Sequence, residues 1–265
     1  MTSVCSHFNL RYSPFTDTFP LKEAHHTKPE AADLERMLML VGEGKSFSLT
    51  GEPGCGKSML LRTFSERFSN KEFRTAMVSF SGQKPNAVLR EICEQLRIDA
   101  TTGWGSLLAR LRKSFARSGS APFAVILLDE AHLLPREALQ EIFSLTHDAQ
   151  TRTAAATIVL SGHPYLEKML ALDSYASVRT RLVARFRMQA LDEAGIRAFI
   201  AHRLALVKAP KDLFHEDAIG LIAMDSKGNR RMAMNLAGNC LNLAVVRNEK
   251  TIAYDLAKEV CDELR

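Results

Sequence analysis

The stretch Gly51-Glu-Pro-Gly-Cys-Gly-Lys57-Ser58 decides the fold that this sequence predicts. It matches the pattern G-x-x-x-x-G-K-[ST], and it stands between a strand-like segment at 46–50 and a helical segment at 57–68. Glycines in such a loop let backbone N–H groups surround phosphate oxygens, and the helix N-terminus adds a partial positive charge. The segment therefore predicts a loop that binds nucleotide phosphates; the alternative is a glycine turn that binds none.

Individual roles follow from the chemistry of the loop residues. We expect Lys57 to contact the β- and γ-phosphates of ATP and to serve catalysis, and the Ser58 hydroxyl to ligate Mg²⁺. The predicted nucleotide-binding residues are Gly51, Glu52, Pro53, Gly54, Cys55, Gly56, Lys57, Ser58 and Met59. We also hypothesise that alkylation of the Cys55 thiol blocks ATP binding, against the simpler interpretation that Cys55 is a small residue at a tolerant position.

Two acidic residues close a second apolar strand. The run at 123–128 is continuous and β-rich, as in a parallel strand covered on both faces, and Asp129 and Glu130 follow it. We expect Asp129 to hold Mg²⁺ and Glu130 to activate the attacking water. The alternative is that both acids only begin the next helix. The four residues from Asp129 to His132 also match a sequence motif of one helicase class. The chain is too short for the two tandem motor domains of such helicases, so this interpretation is discounted.

Other polar residues stand where a nucleotide site needs them. Ser161 ends the next strand, where it can sense the γ-phosphate, although Ser161 and His163 also suit an ordinary strand-to-helix turn. Arg181 is the predicted arginine finger on the nucleotide of a neighbouring subunit, and Arg231 is the predicted γ-phosphate sensor at a later helix start. For both arginines the alternative is a solvated basic surface. The finger is chosen from a cluster formed by Arg179, Arg181, Arg185 and Arg187.

Helices and strands alternate through the first two thirds of the chain. Strands are predicted at 46–50, 74–80, 123–128 and 157–160, with helices at 30–41, 57–68, 86–96, 104–115 and 136–148. After residue 191 only helices are predicted, at 192–206, 215–225, 230–247 and 251–264. The pattern predicts an α/β fold with a parallel sheet between helices, followed by a small all-helical domain. The expected domains are a lead-in at 1–30, the α/β domain at 31–191 and the helical domain at 192–265.

Composition narrows the setting of the protein. The 265 residues carry a formal net charge of +5 and an isoelectric point near 9.0, which permits a polyanionic partner as readily as a plain basic surface. Five cysteines without C-x-x-C spacing argue against a disulfide framework or a zinc site. The N-terminus lacks the apolar core of a signal peptide, and no apolar run is long enough to span a membrane. We therefore expect a cytoplasmic protein without a membrane partner.

The order of these motifs resembles that of AAA+ ATPases, and more narrowly the family akin to the A component of the general secretion pathway. The residues that carry the resemblance are His7 to Phe15, Ser48 to Ser58, Leu127 to His132, Val159 to Pro164, Arg181 to Leu191 and Gly228 to Asn235. At two positions this sequence departs from the family pattern. His163 replaces the usual amide or acid after the fourth strand. Arg230 replaces the usual proline, so Arg230 and Arg231 can exchange roles.

The resemblance implies a function and partners. Secretion members of the family continue beyond the helical domain, so a chain of this length resembles the transposon-encoded branch. That branch implies an oligomeric, ATP-dependent helper that binds double-stranded target DNA and recruits or stimulates a separate transposase. Expected contacts are to the DNA backbone; the candidates are Lys84, Arg110, Arg112, Lys113 and Arg117, or these form a solvated charged face. The alternatives are a secretion or envelope-assembly ATPase acting through protein partners, and a signalling switch with little turnover.

Overall fold

Five short runs of apolar and β-branched residues form one parallel sheet in the computed structural model. The structure describes residues 3–16, 20, 23–68, 72–82, 84–100, 103–115, 122–147 and 154–264. The strands are β1 (Ser46–Gly51), β2 (Phe73–Ser79), β3 (Phe123–Asp129), β4 (Ala156–Gly162) and β5 (Leu182–Met188). Their order is β2-β3-β4-β1-β5, and every neighbouring pair is parallel. The carboxyl ends of all five strands therefore lie at one edge of the sheet.

The chain divides into two compact units. The α/β unit comprises residues 28–52 and 57–188, and the helical unit comprises residues 1–27, 53–56 and 189–265. The helical unit thus starts three residues before the position expected from the sequence. It also includes the N-terminal segment that was expected to be a separate lead-in. The reason is that Phe8 and Leu10 are buried in the core of the helical unit.

Helices cover both faces of the sheet in the α/β unit. The helices of this unit are α2 (Lys28–Gly42), α3 (Lys57–Arg67), α4 (Pro85–Gln95), α5 (Trp104–Phe115), α6 (Arg136–Phe143), α7 (Tyr165–Ala171) and α8 (Ala176–Arg179). On one face Ile126 and Ile158 belong to a core formed with α4 to α8, and on the other Phe47 contacts the ring of Phe64 in α3. Helix α6 ends at Phe143, five residues before the predicted end, because the chain tightens into a 3₁₀ turn at Ser144–Thr146.

The helical unit is built from α1 (Val4–Phe8), α9 (Glu193–Leu206), α10 (Glu216–Asp225), α11 (Arg230–Arg247) and α12 (Tyr254–Glu263). Helix α1 was not predicted; a capping box between Ser3 and Ser6 stabilises its first turn. The buried Arg203 guanidinium donates hydrogen bonds to the carbonyls of Pro14 and Thr16, which attaches the N-terminal segment to α9. Among the described residues, no helix has the length and apolarity needed to cross a bilayer.

A polar contact joins β1, β5 and α7 near the carboxyl edge of the sheet. The Glu167 side chain is largely buried and accepts hydrogen bonds from Thr50 Oγ1 and from the Arg187 guanidinium, with 2.8 Å between Arg187 Nε and Glu167 Oε1. The hydrogen bond from Arg187 lowers the pKa of Glu167 below its usual value, although burial opposes this shift. The charged form of Glu167 therefore stabilises the fold.

Replacing Glu167 by Gln tests this contact. Because the pKa of Glu167 is lowered in the folded state, its contribution is present above the pKa of the unfolded chain and is lost as the pH falls through the folded value. Glu167→Gln should lower the Tm at pH 7 by roughly 3 °C, and the difference from the wild type should shrink in acid. Thermal unfolding followed by circular dichroism at pH 7 and pH 4 measures both effects, with the exposed Glu94→Gln as the control. A difference that does not change with pH would contradict the assignment.

Candidate functional site

The Asp129 carboxylate lies at the carboxyl edge of the sheet, at the end of β3. Ser58 Oγ donates to Asp129 Oδ2 at 2.7 Å, and Ser161 Oγ donates to Asp129 Oδ1 at 2.8 Å. The carboxylate is almost fully buried, and the backbone N–H of Glu130 also donates to Oδ1 at 3.0 Å. Parallel pairing of β3 with β4, and of β4 with β1, explains why residues far apart in the chain meet here. Three residues proposed from the sequence are thus brought together.

Lys57 begins helix α3, and its side chain turns back over the loop. Its Nζ donates to the backbone carbonyls of Gly51 at 2.8 Å and Glu52 at 3.1 Å, and only 5% of the residue is exposed. The ammonium group is therefore held beside the loop that precedes the helix. Met59, the last of the predicted nucleotide-binding residues, lies in the first turn of α3.

Glu130 has a backbone conformation that is unusual for its residue type. Its φ of 54° and ψ of 35° lie in the left-handed region, which costs a non-glycine residue about 1–3 kcal/mol. Its side chain is 40% exposed, and its Oε2 lies 3.4 Å from Nδ1 of His132. A strained backbone at the end of β3 thus carries a partly solvated carboxylate, next in the chain to the buried Asp129.

Two histidines connect this glutamate to the phosphate loop, a contact that the sequence analysis missed. The backbone N–H of His163 donates to Nδ1 of His132 at 3.4 Å, and Nε2 of His163 lies 3.0 Å from Oε2 of Glu52. Nδ1 of His163 accepts from the N–H of Tyr165, so a neutral His163 carries its proton on Nε2, facing Glu52. The available signal was their spacing, since each histidine follows the polar end of one of two adjacent strands.

The environment of His132 affects its charge. Burial lowers the pKa of His132 most, the Glu130 carboxylate opposes this, and His163 and Lys57 lower the pKa further. The net direction is downward, so the imidazole of His132 is neutral near pH 7.

Residues 53–56 contact the start of α11 within the helical unit. The Nδ2 of Asn229 donates to the Pro53 carbonyl at 2.7 Å, and the buried Arg230 guanidinium donates to the Cys55 carbonyl. The sequence analysis favoured Arg231 for this helix start, but the Arg231 side chain is exposed and only its backbone N–H meets the loop, at 3.3 Å from the Gly54 carbonyl. The guanidinium that reaches the loop segment is therefore that of Arg230. A proline at this position would have no such donor.

Tight packing constrains two residues of this segment. Gly54 has a φ of +81°, and a Cβ atom there would lie 2.3 Å from Oδ1 of Asn229, so only glycine fits without displacement. Cys55 is 2% exposed. The thiol is therefore covered in this conformation of the loop, and the effect of its alkylation on ATP binding stays a prediction.

Arg181 lies at the opposite edge of the sheet from the loop. In the register of β1 with β5, Ser46 pairs with Leu182 and Gly51 pairs with Met188. Arg181 precedes Leu182, so six residue steps along β1, or about 20 Å, separate its level from that of Gly51. Its Nη1 donates to the Ser177 carbonyl at 2.5 Å, and it lines an open cavity of ≈ 770 Å³ together with Lys45. Arg181 therefore cannot contact the loop of its own chain.

The DNA-contact candidates lie on or beside α4 and α5, but two of them have intramolecular partners. Arg110 forms an ion pair with Asp99, and Arg112 donates to Ser144 Oγ at 2.7 Å. Lys84 precedes α4, Lys113 lies in the last turn of α5, and both are exposed. Arg117 lies outside the described residues.

The two neighbouring arginines of α11 offer a matched test of which one acts on the loop. Arg230→Ala removes a buried charged donor and should cost about 1–3 kcal/mol of stability, because the Cys55 carbonyl loses its partner. Arg231→Ala changes an exposed side chain and should stay within about 0.5 kcal/mol of the wild type. Thermal unfolding of both variants measures the contrast. Equal losses, or a larger loss for Arg231→Ala, would show that the arginines are assigned in the wrong order.

Comparisons with known proteins agree with this architecture. Residues 40–170 match the family model described as an AAA domain. General secretion pathway protein A of Aeromonas hydrophila is 25% identical over 252 residues, which are 93% of this chain and 46% of that protein. The chain therefore spans about half the length of this relative.

Two solved archaeal structures have the same fold. The ORC2 protein of Aeropyrum pernix, solved in ADPNP-ADP complexes, gives a TM-score of 0.79 at 15% identity, over 96% of this chain and 72% of that one. The ORC1 protein of the same organism, solved in complex with DNA, gives 0.76 at 16% identity, over 96% and 70%. The chain thus has the AAA+ P-loop fold, with a helical part after its five-stranded parallel sheet.

Proposed function

We propose that this protein binds Mg²⁺-ATP at the loop 51–58 and hydrolyses it to ADP and phosphate. The observation that carries the proposal is the position of Asp129, which is bonded to both Ser58 and Ser161 and is followed by the partly exposed Glu130. The hydroxyl of Ser58 and the carboxylate of Asp129 are hard oxygen ligands 2.7 Å apart, which is the donor chemistry that Mg²⁺ prefers. These residues therefore fit the metal that the loop motif implies.

Each residue at this edge has a distinct proposed role. Ser58 and Asp129 hold the metal, which neutralises charge on the β- and γ-phosphates when bound. Lys57 exchanges its two carbonyl partners for phosphate oxygens, and backbone N–H groups of the residues in 51–59 other than Pro53 donate to the phosphates. Glu130 orients the attacking water and accepts its proton. The hydroxyl of Ser161 holds the Asp129 carboxylate in place and provides a polar group near the expected position of the γ-phosphate.

We further propose that Arg181 completes this site in a second copy of the chain. The supporting observation is its place at the amino-terminal edge of the sheet, about 20 Å from the level of Gly51 in its own chain. Beyond its hydrogen bond to Ser177, a guanidinium there could reach a nucleotide only in a neighbouring molecule, whose carboxyl edge would face it in a head-to-tail assembly. In the helical unit we assign the nucleotide-sensing role to Arg230, in place of Arg231, because Arg230 already contacts residue 55.

For the biological role, we propose an oligomeric helper of DNA transposition that binds double-stranded DNA and recruits or stimulates a separate transposase. The resemblance of the motifs supports this role, as does the net charge of +5. The exposed Lys84 and Lys113 are the leading DNA contacts, since Arg110 and Arg112 already have partners. The ORC1 structure in complex with DNA shows that a protein with this fold can bind DNA.

A second candidate is an ATPase that acts on protein partners in secretion or envelope assembly. The observation that favours it is the 25% identity to General secretion pathway protein A across 93% of this chain. Both candidates use the same nucleotide site. They differ in the macromolecule that should change the rate of ATP hydrolysis.

Steady-state ATP hydrolysis with and without double-stranded DNA, at two salt concentrations, separates these proposals. We expect DNA to raise the turnover and 200 mM salt to remove most of the effect, because backbone contacts release counterions. Glu130→Gln should lower kcat by about 100-fold or more while ATP still binds, since only the proton acceptor is lost. Lys84→Glu combined with Lys113→Glu should remove DNA stimulation and keep basal turnover. Hydrolysis that ignores DNA at both salts would favour the protein-partner candidate, and a fully active Glu130→Gln would contradict the site.

Mixing two inactive variants tests the role of Arg181 in a second copy. Alone, Arg181→Ala should lose at least about 100-fold in kcat, as arginine fingers commonly contribute this much. Glu130→Gln is inactive but retains Arg181, so its arginine can serve the intact site of an Arg181→Ala neighbour. A one-to-one mixture should therefore recover activity at about one quarter of the sites in a random head-to-tail assembly. No recovery, under conditions where the variants are shown to co-assemble, would place Arg181 outside the neighbour's site.

A further inference from the structure

Nδ1 of His132 lies within reach of two groups at the carboxyl edge of the sheet. Oε2 of Glu130 is 3.4 Å from it, and the backbone nitrogen of His163 is also 3.4 Å from it. The first group belongs to the end of β3 and the second to the end of β4. One ring nitrogen thus faces both the carboxylate proposed to activate water and the neighbouring strand.

The imidazole is confined to this position by close packing. Only 17% of its side chain is exposed. A Cβ atom on Gly162 would lie 2.9 Å from Nδ1 of His132 and 3.5 Å from the backbone nitrogen of Ala131. The absence of a side chain at Gly162 is therefore what allows the ring to approach the end of β4.

A neutral imidazole can serve only one of these two groups at a time. With the proton on Nδ1, the ring donates to the Glu130 carboxylate; with the proton on Nε2, it accepts from the N–H of His163. The charged and polar groups around the ring are Glu130 and Asp129 from the end of β3, His163 from the end of β4, and Lys57 from α3. Both tautomers are neutral, so the choice between them changes no net charge.

The glutamate needs such a partner because its own side chain is not otherwise confined. Glu130 is 40% exposed, and a solvated glutamate samples many rotamers. A water-activating carboxylate must stay within hydrogen-bonding reach of the water, and a displacement of about 1 Å can cost 100-fold in rate. The strained backbone conformation of Glu130 fixes the position of its Cβ atom, but not the position of its carboxylate.

We propose that His132 is a positioning residue for Glu130, acting by donating a hydrogen bond from Nδ1 to the Glu130 carboxylate. This inference rests on the proposed ATPase function. His132 does not contact the reacting atoms in this role; it acts only through Glu130. In the other tautomer the ring accepts from the backbone N–H of His163, so the hydrogen bond to Glu130 requires the proton on Nδ1.

Two amide substitutions at position 132 separate this role from mere packing. The Asn side chain places its amide near Nδ1 of the replaced ring, whereas the Gln side chain places its amide near Nε2. We therefore expect His132→Asn to keep kcat within about threefold, and His132→Gln and His132→Ala to lower kcat by about 10-fold. The KM for ATP should stay within about twofold in all three variants, since the loop is unchanged. Loss in His132→Gln with rescue in His132→Asn supports positioning.

Further variants guard against loss of folding. His215→Gln, in the helical unit, is the control for histidine replacement and should leave kcat unchanged. Gly162→Ala leaves His132 in the chain but displaces its ring, and it should lower kcat by a similar 10-fold. In the Glu130→Gln background, His132→Gln should cause no additional loss, because the two residues act as one unit. Thermal unfolding of each variant shows whether the fold is kept.

A readout without turnover keeps the inference separate from the proposed ATPase activity. In protein labelled with ¹⁵N-histidine, the Nδ1 resonance of His132 should shift when Glu130 is replaced by Gln, because the tautomer balance loses its carboxylate partner. An unchanged resonance would overturn the contact. An active wild type with unchanged kcat in His132→Gln would overturn the positioning role alone, and a raised kcat would show that the contact restrains Glu130 unproductively. A wild type without hydrolysis contradicts the proposed function, while the resonance still decides the contact.

Discussion

The parallel alignment of β1, β3 and β4 brings a buried carboxylate within reach of two hydroxyls. Asp129 leaves water when the sheet closes, and a carboxylate in that position is tolerated only if hydrogen bonds replace its hydration. Ser58 and Ser161 supply those bonds from two other segments. A shift of one residue in the pairing of β3 with β4 would move Ser161 to the other face and remove one of the two hydroxyl donors of Asp129. The chemistry of the edge therefore depends on the register of the sheet.

The charged side chains at this edge differ in how firmly contacts within the protein hold them. Asp129 and Lys57 are buried and hold protein partners, so their positions are fixed before any ligand arrives. Glu130 is the exception, since its backbone is strained and its carboxylate is partly solvated. In the proposed mechanism the rigid pair would hold phosphate and metal, and the Glu130 carboxylate, which burial does not fix, would need a partner such as His132 to stay within reach of the water.

Much of this arrangement follows from the sequence, and the exceptions have physical causes. The loop, the acidic pair and Ser161 were predictable because each lies at the end of a strand, and parallel strands place those ends together. The contact between His132 and His163 was not, because it depends on the space left by Gly162 and on the rotamers of two rings. The order of Arg230 and Arg231 could not be decided from the sequence for a similar reason. Periodicity places both at a helix start, but burial in a specific core decides which side chain turns towards the loop.

The two edges of the sheet differ in whether their charged residues meet the other site residues within one chain. At the carboxyl edge, hydrogen bonds within one chain bring together the loop, Asp129 and Glu130. One chain therefore supplies these residues of the proposed nucleotide site. At the amino-terminal edge, Arg181 and Lys45 line an open cavity, and Gly51, where the loop begins, lies about 20 Å from the level of Arg181. In the proposed function a cation so far from Gly51 would serve a second copy, as head-to-tail contacts join unlike edges. The proposed DNA contacts Lys84 and Lys113 are exposed side chains that the fold does not constrain, whereas the proposed hydrolytic site uses the buried Asp129 and Lys57, which it does.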